Sequence, residues 1–349
     1  MSRTPLYQAA VASGARPGEY RGVETAALFS STEAEYPALR SGCGVFDLGW
    51  RAKLSVAGPD RARWLNGMVT NNIKDLPLNH GVYCFLLNAQ GRIQGDLYAY
   101  NRGEHFILDT DAAQKSKLLE IFDKFVIMDD VEISDLSEKL TAIGLRGAQA
   151  VGILSRLANV SLPAELQIAD SLWGQQIGYS LVHVEANSFE LWMPPENAPR
   201  IWNDLIQAGA TPVGSEAFEL ARIADGTPLY GKDINERYLP QETGQERALN
   251  FSKGCYLGQE IVERIHSRAI LHREFRAFTF SGALPPVGAK IQSHGKDVGE
   301  LTSVASLPSQ NGPRQVGLGY VRRESATAQT PLTVEGATAT IAKLPLDWP

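Results

Sequence analysis

YCFLLNAQGRIQGDLYAYNRGEHFILDT, residues 83–110, is the stretch that decides the fold. It reads as β-strands joined by turns at Gln90–Gly91 and Arg102–Gly103. Tight hairpins of this kind, set among helices, favour an α+β fold with mixed or antiparallel sheets over a doubly wound parallel sheet. No G-x-G-x-x-G opens a helix after a strand, so a Rossmann or Walker-type phosphate loop has no support.

Working outward, Lys53–Ala57 alternates as a half-buried strand that ends at Gly58–Pro59. Asp60 then stands as the N-cap of a helix whose face carries Ala62, Leu65 and Met68. Residues 112–127 predict an amphipathic helix with Leu118, Leu119, Phe122 and Phe125 on one side. A strand follows at 139–147 and a helix from Ala148 to Leu157. Residues 177–194 read as a β-hairpin and 196–209 as a helix. The first forty-odd residues read as a polar arm with one helix. After about residue 274 the chain becomes short strand-like runs separated by Gly, Pro and Asn, the pattern of a small β-barrel. The expected domains are an arm and helix over 1–43, an α+β region over 44–273 and the barrel over 274–349.

The chain has 349 residues, 44% apolar and 21% charged, ordinary for a globular protein of two or three domains. Its net charge of −6 supplies no overall basic field for direct nucleic-acid binding. The longest apolar runs are strand-sized, too short to span a bilayer as helices, so no membrane partner is expected. No continuous apolar segment near the N-terminus suggests a secretory signal. The three cysteines, Cys43, Cys84 and Cys255, are widely spaced and form no C-x-x-C. That pattern argues against a disulfide framework or tetrahedral zinc and leads to the expectation of a reduced, cytoplasmic protein.

The chemistry concentrates in three segments. In KGCYLGQE (253–260) the thiol of Cys255 lies between glycine-rich turns, ahead of apolar residues at helical spacing, Leu257, Ile261, Val262 and Ile265. A thiol before the first turn of a helix, with Lys253 nearby, would be readily ionised. The competing reading is a small buried filler, which is also how Cys43 and Cys84 read. Cys255, His266 and His272 match no compact zinc pattern, and no oxyanion element accompanies a Cys–His nucleophile pair. In SFELWMP (188–194), strand alternation places Glu190 on the solvent side unless it serves a pocket. The segment 219–244 is dense in Gly, Pro and charge, with Arg222 on a short helix ended by Gly226. Such a segment is either functional or a solvated connection.

GVFDLGWRAKLSVAGPD, WLNGMVTNNI, NAQGRIQGDLYAY, RIADGTPLYGKDI with LPQETG, and KGCYLGQEIVERI occur in this order. Together they resemble the folate-binding family that contains the glycine-cleavage T-protein, an aminomethyltransferase. The motif K-G-C-Y-x-G-Q-E resembles the mark of its YgfZ-type branch, tetrahydrofolate-binding proteins that support iron–sulfur enzymes. The resemblance implies a cloverleaf of α+β subdomains with a C-terminal β-barrel around a folate channel. It also implies that Glu190 grips the pterin and that Arg222 contacts the folate. In the segment GRIQGDLYAY only Asp96 stands where T-proteins carry paired aspartates, and the K-G-C-Y-x-G-Q-E cysteine is foreign to them. Both departures point to the YgfZ-type branch.

The expectation is therefore a tetrahydrofolate-binding protein that helps assemble or repair iron–sulfur clusters in client enzymes. Cys255 would be the reactive group, Lys253 its modulator, and Tyr256 and Gln259 would shape the same surface. One alternative is a folate-dependent aminomethyltransferase in which Asp96 orients the amine. Another is a folate-binding scaffold without chemistry.

Overall fold

In a computed structural model, which describes residues 2–157, 161–268, 271–327 and 331–346, Gly91 and Gly103 adopt φ of +70° and +79°. This is backbone that glycine enters without steric cost. The strands they separate are Gly81–Leu87, Ile93–Asn101 and His105–Asp111. Arg51–Ala57 and Glu132–Asp135 complete a five-stranded sheet, in the spatial order 81–87, 93–101, 105–111, 51–57, 132–135.

Two compact units form. The first comprises Met1–Cys84 and Asp96–Phe218, the second Phe85–Gly95 and Glu219–Pro349. The first unit also holds a six-stranded sheet, in the order Ile168–Trp173, Ile177–Glu185, Ser188–Met193, Thr141–Arg146, Gly44–Asp47, Thr211–Val213. Its pairings are antiparallel except the last, which is parallel. One face of this sheet is continuously apolar. Val45, Ile143, Leu145, Phe189, Leu191 and Met193 pack beneath the helices Ala150–Leu157 and Ala198–Gln207, which contribute Ile153, Leu154, Ile201 and Leu205. Burial of this apolar area is the main favourable term in folding.

The N-terminal segment departs from the expected arm and helix. Ser2–Arg3, Val23–Leu28 and Arg16–Tyr20 form a three-stranded sheet in that order, accompanied by the helices Tyr7–Ala12 and Thr32–Ala38. Its central strand buries Val23, Thr25, Ala26 and Ala27. Ala26 and Ala27 carry weak strand propensity and break the alternation of buried and half-buried positions, so sequence pattern alone misses the strand. Asp60 occupies the predicted N-cap position of the helix Arg61–Met68 but makes no capping bond. Its Oδ2 accepts instead from the amide of Asp130 at 3.0 Å. The helix Ala112–Phe125 buries Leu118 and Phe122, but its last turn leaves Phe125 40% exposed.

In the second unit the composition change near residue 274 coincides with the first barrel strand, Arg273–Ser281. The barrel closes with six strands, in the order 273–281, Arg314–Arg322, Lys296–Leu307, Lys290–Ser293, Leu332–Val334, Ala337–Ala342. Phe278, Ile291, Leu301, Val321 and Val334 fill it. Closure removes the unpaired strand edges that an open sheet would expose.

Candidate functional site

Glu190 does not face solvent as simple alternation predicts. Phe189, Leu191 and Met193 occupy the helix-covered face of their strand, which leaves Ser188, Glu190 and Trp192 on the opposite face. There Glu190 is half-buried and Trp192 is 1% exposed. The indole Nε1 of Trp192 donates to Glu190 Oε2 at 2.6 Å. On the neighbouring strand Gly144 is paired with Glu190, and a Cβ there would meet the Phe46 ring at 2.1 Å.

Lys53 lies with its Nζ 4.7 Å from the Trp192 ring centroid. It is 1% exposed, contrary to what its place in an alternating strand suggests. Asp109, paired with Lys53 across the five-stranded sheet, satisfies the buried ammonium at 2.5 Å. Asp109 also accepts from Arg51, from Nε at 2.9 Å and from Nη2 at 2.6 Å. Burial alone would raise the Asp109 pKa, but the two cations outweigh it and hold the group ionised. Glu190 shifts the other way. Burial first, then the Asp109 charge, lift it above the ordinary glutamate range, against the pull of Lys53, Arg51 and the Trp192 bond.

An aromatic wall runs from Trp192 to Asp96. Tyr100, 1% exposed, meets the Trp192 ring edge-on at 5.2 Å. Tyr98 stacks at 6.3 Å from Tyr100 and lies 5.0 Å from Tyr83. The Tyr83 hydroxyl donates to Asp96 Oδ2 at 2.7 Å. Gln114 Nε2 donates to Asp96 Oδ1 at 2.7 Å, and Gln114 Oε1 accepts from the Asp96 amide at 3.0 Å. Two carboxylates of different character thus lie at the ends of one wall of rings. Arg51, Lys53, Asp109, Tyr100 and Trp192 were not singled out from sequence. The available signal was two cations two places apart in an otherwise apolar strand, and an aspartate inside FILDTD.

The remaining residues singled out from sequence lie in the second unit. Cys255 is exposed and its thiol is free. The helix begins at Gln259, so Cys255 stands in the preceding loop and not in the capping position. Lys253 is buried, with its Nζ 4.9 Å from the centroid of the Tyr256 ring. Tyr256 is buried as well, and burial followed by the nearby Glu263 charge pushes its hydroxyl up to about 12. Gln259 donates its amide to Tyr256 O at 3.2 Å. The loop's path depends on Gly258, at φ +83°, where a Cβ would sit 2.5 Å from the carbonyl oxygen of Asn88. The NAQG turn and the KGCYLGQE loop are therefore packed together through glycine backbone.

Arg222 has a different environment from the one the resemblance implies. It is 6% exposed, and all five of its N–H donors face protein acceptors. Glu219 takes two, at 2.8 and 2.6 Å; Asp233 and Thr227 O are met at 2.7 and 2.6 Å, and Ser303 Oγ at 3.0 Å. A guanidinium so engaged ties the helix Ser215–Asp225 to the barrel strand Lys296–Leu307, and no donor remains over for a ligand carboxylate. Among the described residues no group of three or more His, Cys, Asp or Glu is placed to hold a metal ion, Cys255, His266 and His272 included. Nor, among them, is any helix long and apolar enough to cross a membrane.

Comparison with known proteins places this architecture. The family model for the GCVT N-terminal domain matches residues 6–253, and that for the CAF17 C-terminal beta-barrel domain matches residues 273–349. The chain belongs to the glycine-cleavage T-protein family, with a CAF17-type barrel. An aminomethyltransferase of Rubrobacter xylanophilus is 29% identical over 93% of this chain and 88% of its own length. That of a Nostoc species is 29% identical over 96% and 92%. The crystal structure of the glycine cleavage system aminomethyltransferase T of Bartonella henselae superposes with a TM-score of 0.89, at 21% identity, over 99% of this chain and 98% of that one. The mixed α+β fold with its closed barrel is the fold of that family.

Proposed function

We propose that this protein binds tetrahydrofolate through Glu190 and serves iron–sulfur enzymes through Cys255, as the YgfZ-type branch of its family does. The observation that carries the folate reading is the setting of Glu190. A pterin presents a ring N–H beside an exocyclic amine, and one carboxylate can accept both. Glu190 is a half-buried carboxylate fixed by Trp192 within a wall of aromatic rings, a donor-hungry group beside surfaces suited to a flat heterocycle. The residues fit the ligand. Bound folate would supply a one-carbon carrier; the chain's own contribution is to hold the ring and exclude water from its polar edge.

The iron–sulfur part rests on K-G-C-Y-x-G-Q-E with its exposed free thiol, and on the match of the last domain to a CAF17 barrel. A second reading is favoured by a separate observation. Asp96 is held by Tyr83 and Gln114 on the same wall as Glu190, and the curated relatives are aminomethyltransferases. In that reading Asp96 orients an amine and the protein transfers a one-carbon unit.

Calorimetry with tetrahydrofolate tests the shared premise: Glu190→Gln should weaken binding about ten- to hundredfold. Equal affinity in the two proteins would remove Glu190 from the site. Methylene-tetrahydrofolate formation from an aminomethyl donor, lost in Asp96→Asn, would select the transferase. Failure of Cys255→Ala to restore iron–sulfur enzyme activity in a deletion strain, with folate affinity intact, would select the other.

A further inference from the structure

The segment that follows the helix Ala112–Phe125 carries apolar side chains that the fold leaves bare. Ile127 and Met128 are 81% and 92% exposed, and Phe125 beside them is exposed as well. A single exposed apolar side chain is ordinary on a protein surface, but three within four residues form a patch.

The segment is tied down on both sides. Phe125 O accepts from the Trp64 indole at 3.0 Å, and the Val126 amide donates to Phe122 O at 3.1 Å. Beyond Met128, the Asp130 amide donates to Asp60 Oδ2 at 3.0 Å and the Asp60 amide donates to Asp130 O at 3.3 Å. Gly58 permits this approach, since a Cβ there would sit 2.3 Å from Asp130 O. Ile127 and Met128 are thus presented by backbone already fixed, so covering them costs little further ordering.

The charges around the patch select what covers it. Lys124 is held by Glu120 at 2.7 Å, and Arg63 meets Asp129 at 2.6 Å and Asp60 at 3.1 Å. Asp123, Asp130 and Glu132 are exposed, and among the described residues none of them pairs with a cation. An excess of acid therefore borders the apolar side chains. An anionic bilayer would be repelled, since segments that lie on such surfaces carry Lys and Arg. A second copy in a two-fold contact would set like charge against like. A partner with basic residues around an apolar area satisfies both parts of the patch.

We infer that residues 125–128 form a docking site for a protein partner that offers an apolar face flanked by lysine or arginine. The inference does not rest on Glu190, on Cys255 or on the folate reading.

Three amphipathic helical peptides with a leucine stripe probe the site on the full chain, one flanked by lysine, one by glutamine and one by glutamate. Calorimetry should find the lysine peptide tightest, the glutamine peptide about five- to tenfold weaker and the glutamate peptide weaker still. Ile127→Ser combined with Met128→Ser should weaken the lysine peptide about ten- to hundredfold. Both side chains face solvent, so the thermal midpoint and far-UV spectrum of that variant should stay native. Asp123→Asn combined with Asp130→Asn should remove the preference for lysine over glutamine and leave the glutamine peptide bound as before. The assignment is overturned if the native chain binds none of the peptides at millimolar concentration or binds all three alike. It is equally overturned if the serine variant binds the lysine peptide as the native chain does. Cosedimentation with phosphatidylglycerol vesicles that the serine variant loses would overturn it in favour of a lipid surface. A native dimer in sedimentation velocity that the serine variant dissolves would overturn it in favour of a second copy.

Discussion

The ammonium of Lys53 sits 4.7 Å from the centre of the Trp192 ring, and the same indole donates to Glu190. One tryptophan therefore links a buried cation to the half-buried carboxylate of Glu190. Its indole N–H orients Glu190, and its π-face receives Lys53, which Asp109 neutralises. The buried charge cluster supports the Trp192 face of the strand and is not a solvated surface pair.

Replacing Lys53 tests that support. Lys53→Met retains much of the side-chain volume but leaves Asp109 with Arg51 as its cation. Removing one partner of a buried pair costs about 3–5 kcal/mol when the other is stranded; with Arg51 still bound, a loss of about 2–3 kcal/mol is expected. Urea unfolding measures it directly. A change under 0.5 kcal/mol, the usual range of a surface substitution, would show that the ammonium contributes nothing to the cluster.

Folate binding should depend on pH through Glu190. Burial and the Asp109 charge hold this carboxyl above the ordinary glutamate range, so it stays protonated to higher pH than an exposed glutamate. The ionised form is the one that accepts two N–H donors. Affinity for tetrahydrofolate should therefore rise with pH across a step centred above the ordinary glutamate pKa of about 4.3, then level off. Titration calorimetry at several pH values reads the step. In Glu190→Gln the same series should be flat over that range; a step of unchanged size would assign the titration to another group.

The cysteines divide cleanly. Cys43 and Cys84 are 2% and 0% exposed, and burial pushes the Cys43 thiol up to about 11. Cys255 is exposed. Native protein should release one equivalent of thionitrobenzoate from Ellman's reagent, and three after denaturation. Cys255→Ala should release none until unfolded. A native count above one would mean that the segments carrying Cys43 or Cys84 open on the time scale of the assay.

How much of this was legible beforehand follows from the range over which each signal acts. The hairpins of 83–110 were readable because turn glycines are local: Gly91 and Gly103 need positive φ whatever surrounds them. The barrel was readable from its repeated short strands. Lys53 and Glu190 were not placed correctly by alternation, because period two separates the faces of a sheet but cannot tell whether the second face meets water or another layer. The N-terminal sheet was lost because its strands carry Pro17, Gly18, Ala26 and Ala27, residues of weak strand propensity. Arg222 shows the opposite limit: Glu219 is one helical turn away and visible, whereas Asp233 and Ser303 arrive from remote segments.

That arginine network yields a sharp acid dependence. Burial tends to raise the Glu219 pKa, but the hydrogen bonds and charge of Arg222, followed by Lys232, bring it down to about 2. Its unfolded value is near 4.5. A carboxyl depressed by folding contributes stability that is fully present above its unfolded pKa and is lost as pH falls through its folded one. The contribution at pH 7 should be about 2–3 kcal/mol, taking about 1.4 kcal/mol per unit and some screening at its partly exposed edge. It should decline between about pH 4.5 and pH 2. Glu219→Gln should lower the thermal midpoint at pH 7 and lose less stability than the native chain on acidification from pH 5 to pH 2.5. If both proteins lost the same amount across that interval, Glu219 would not be the group that couples this network to protons.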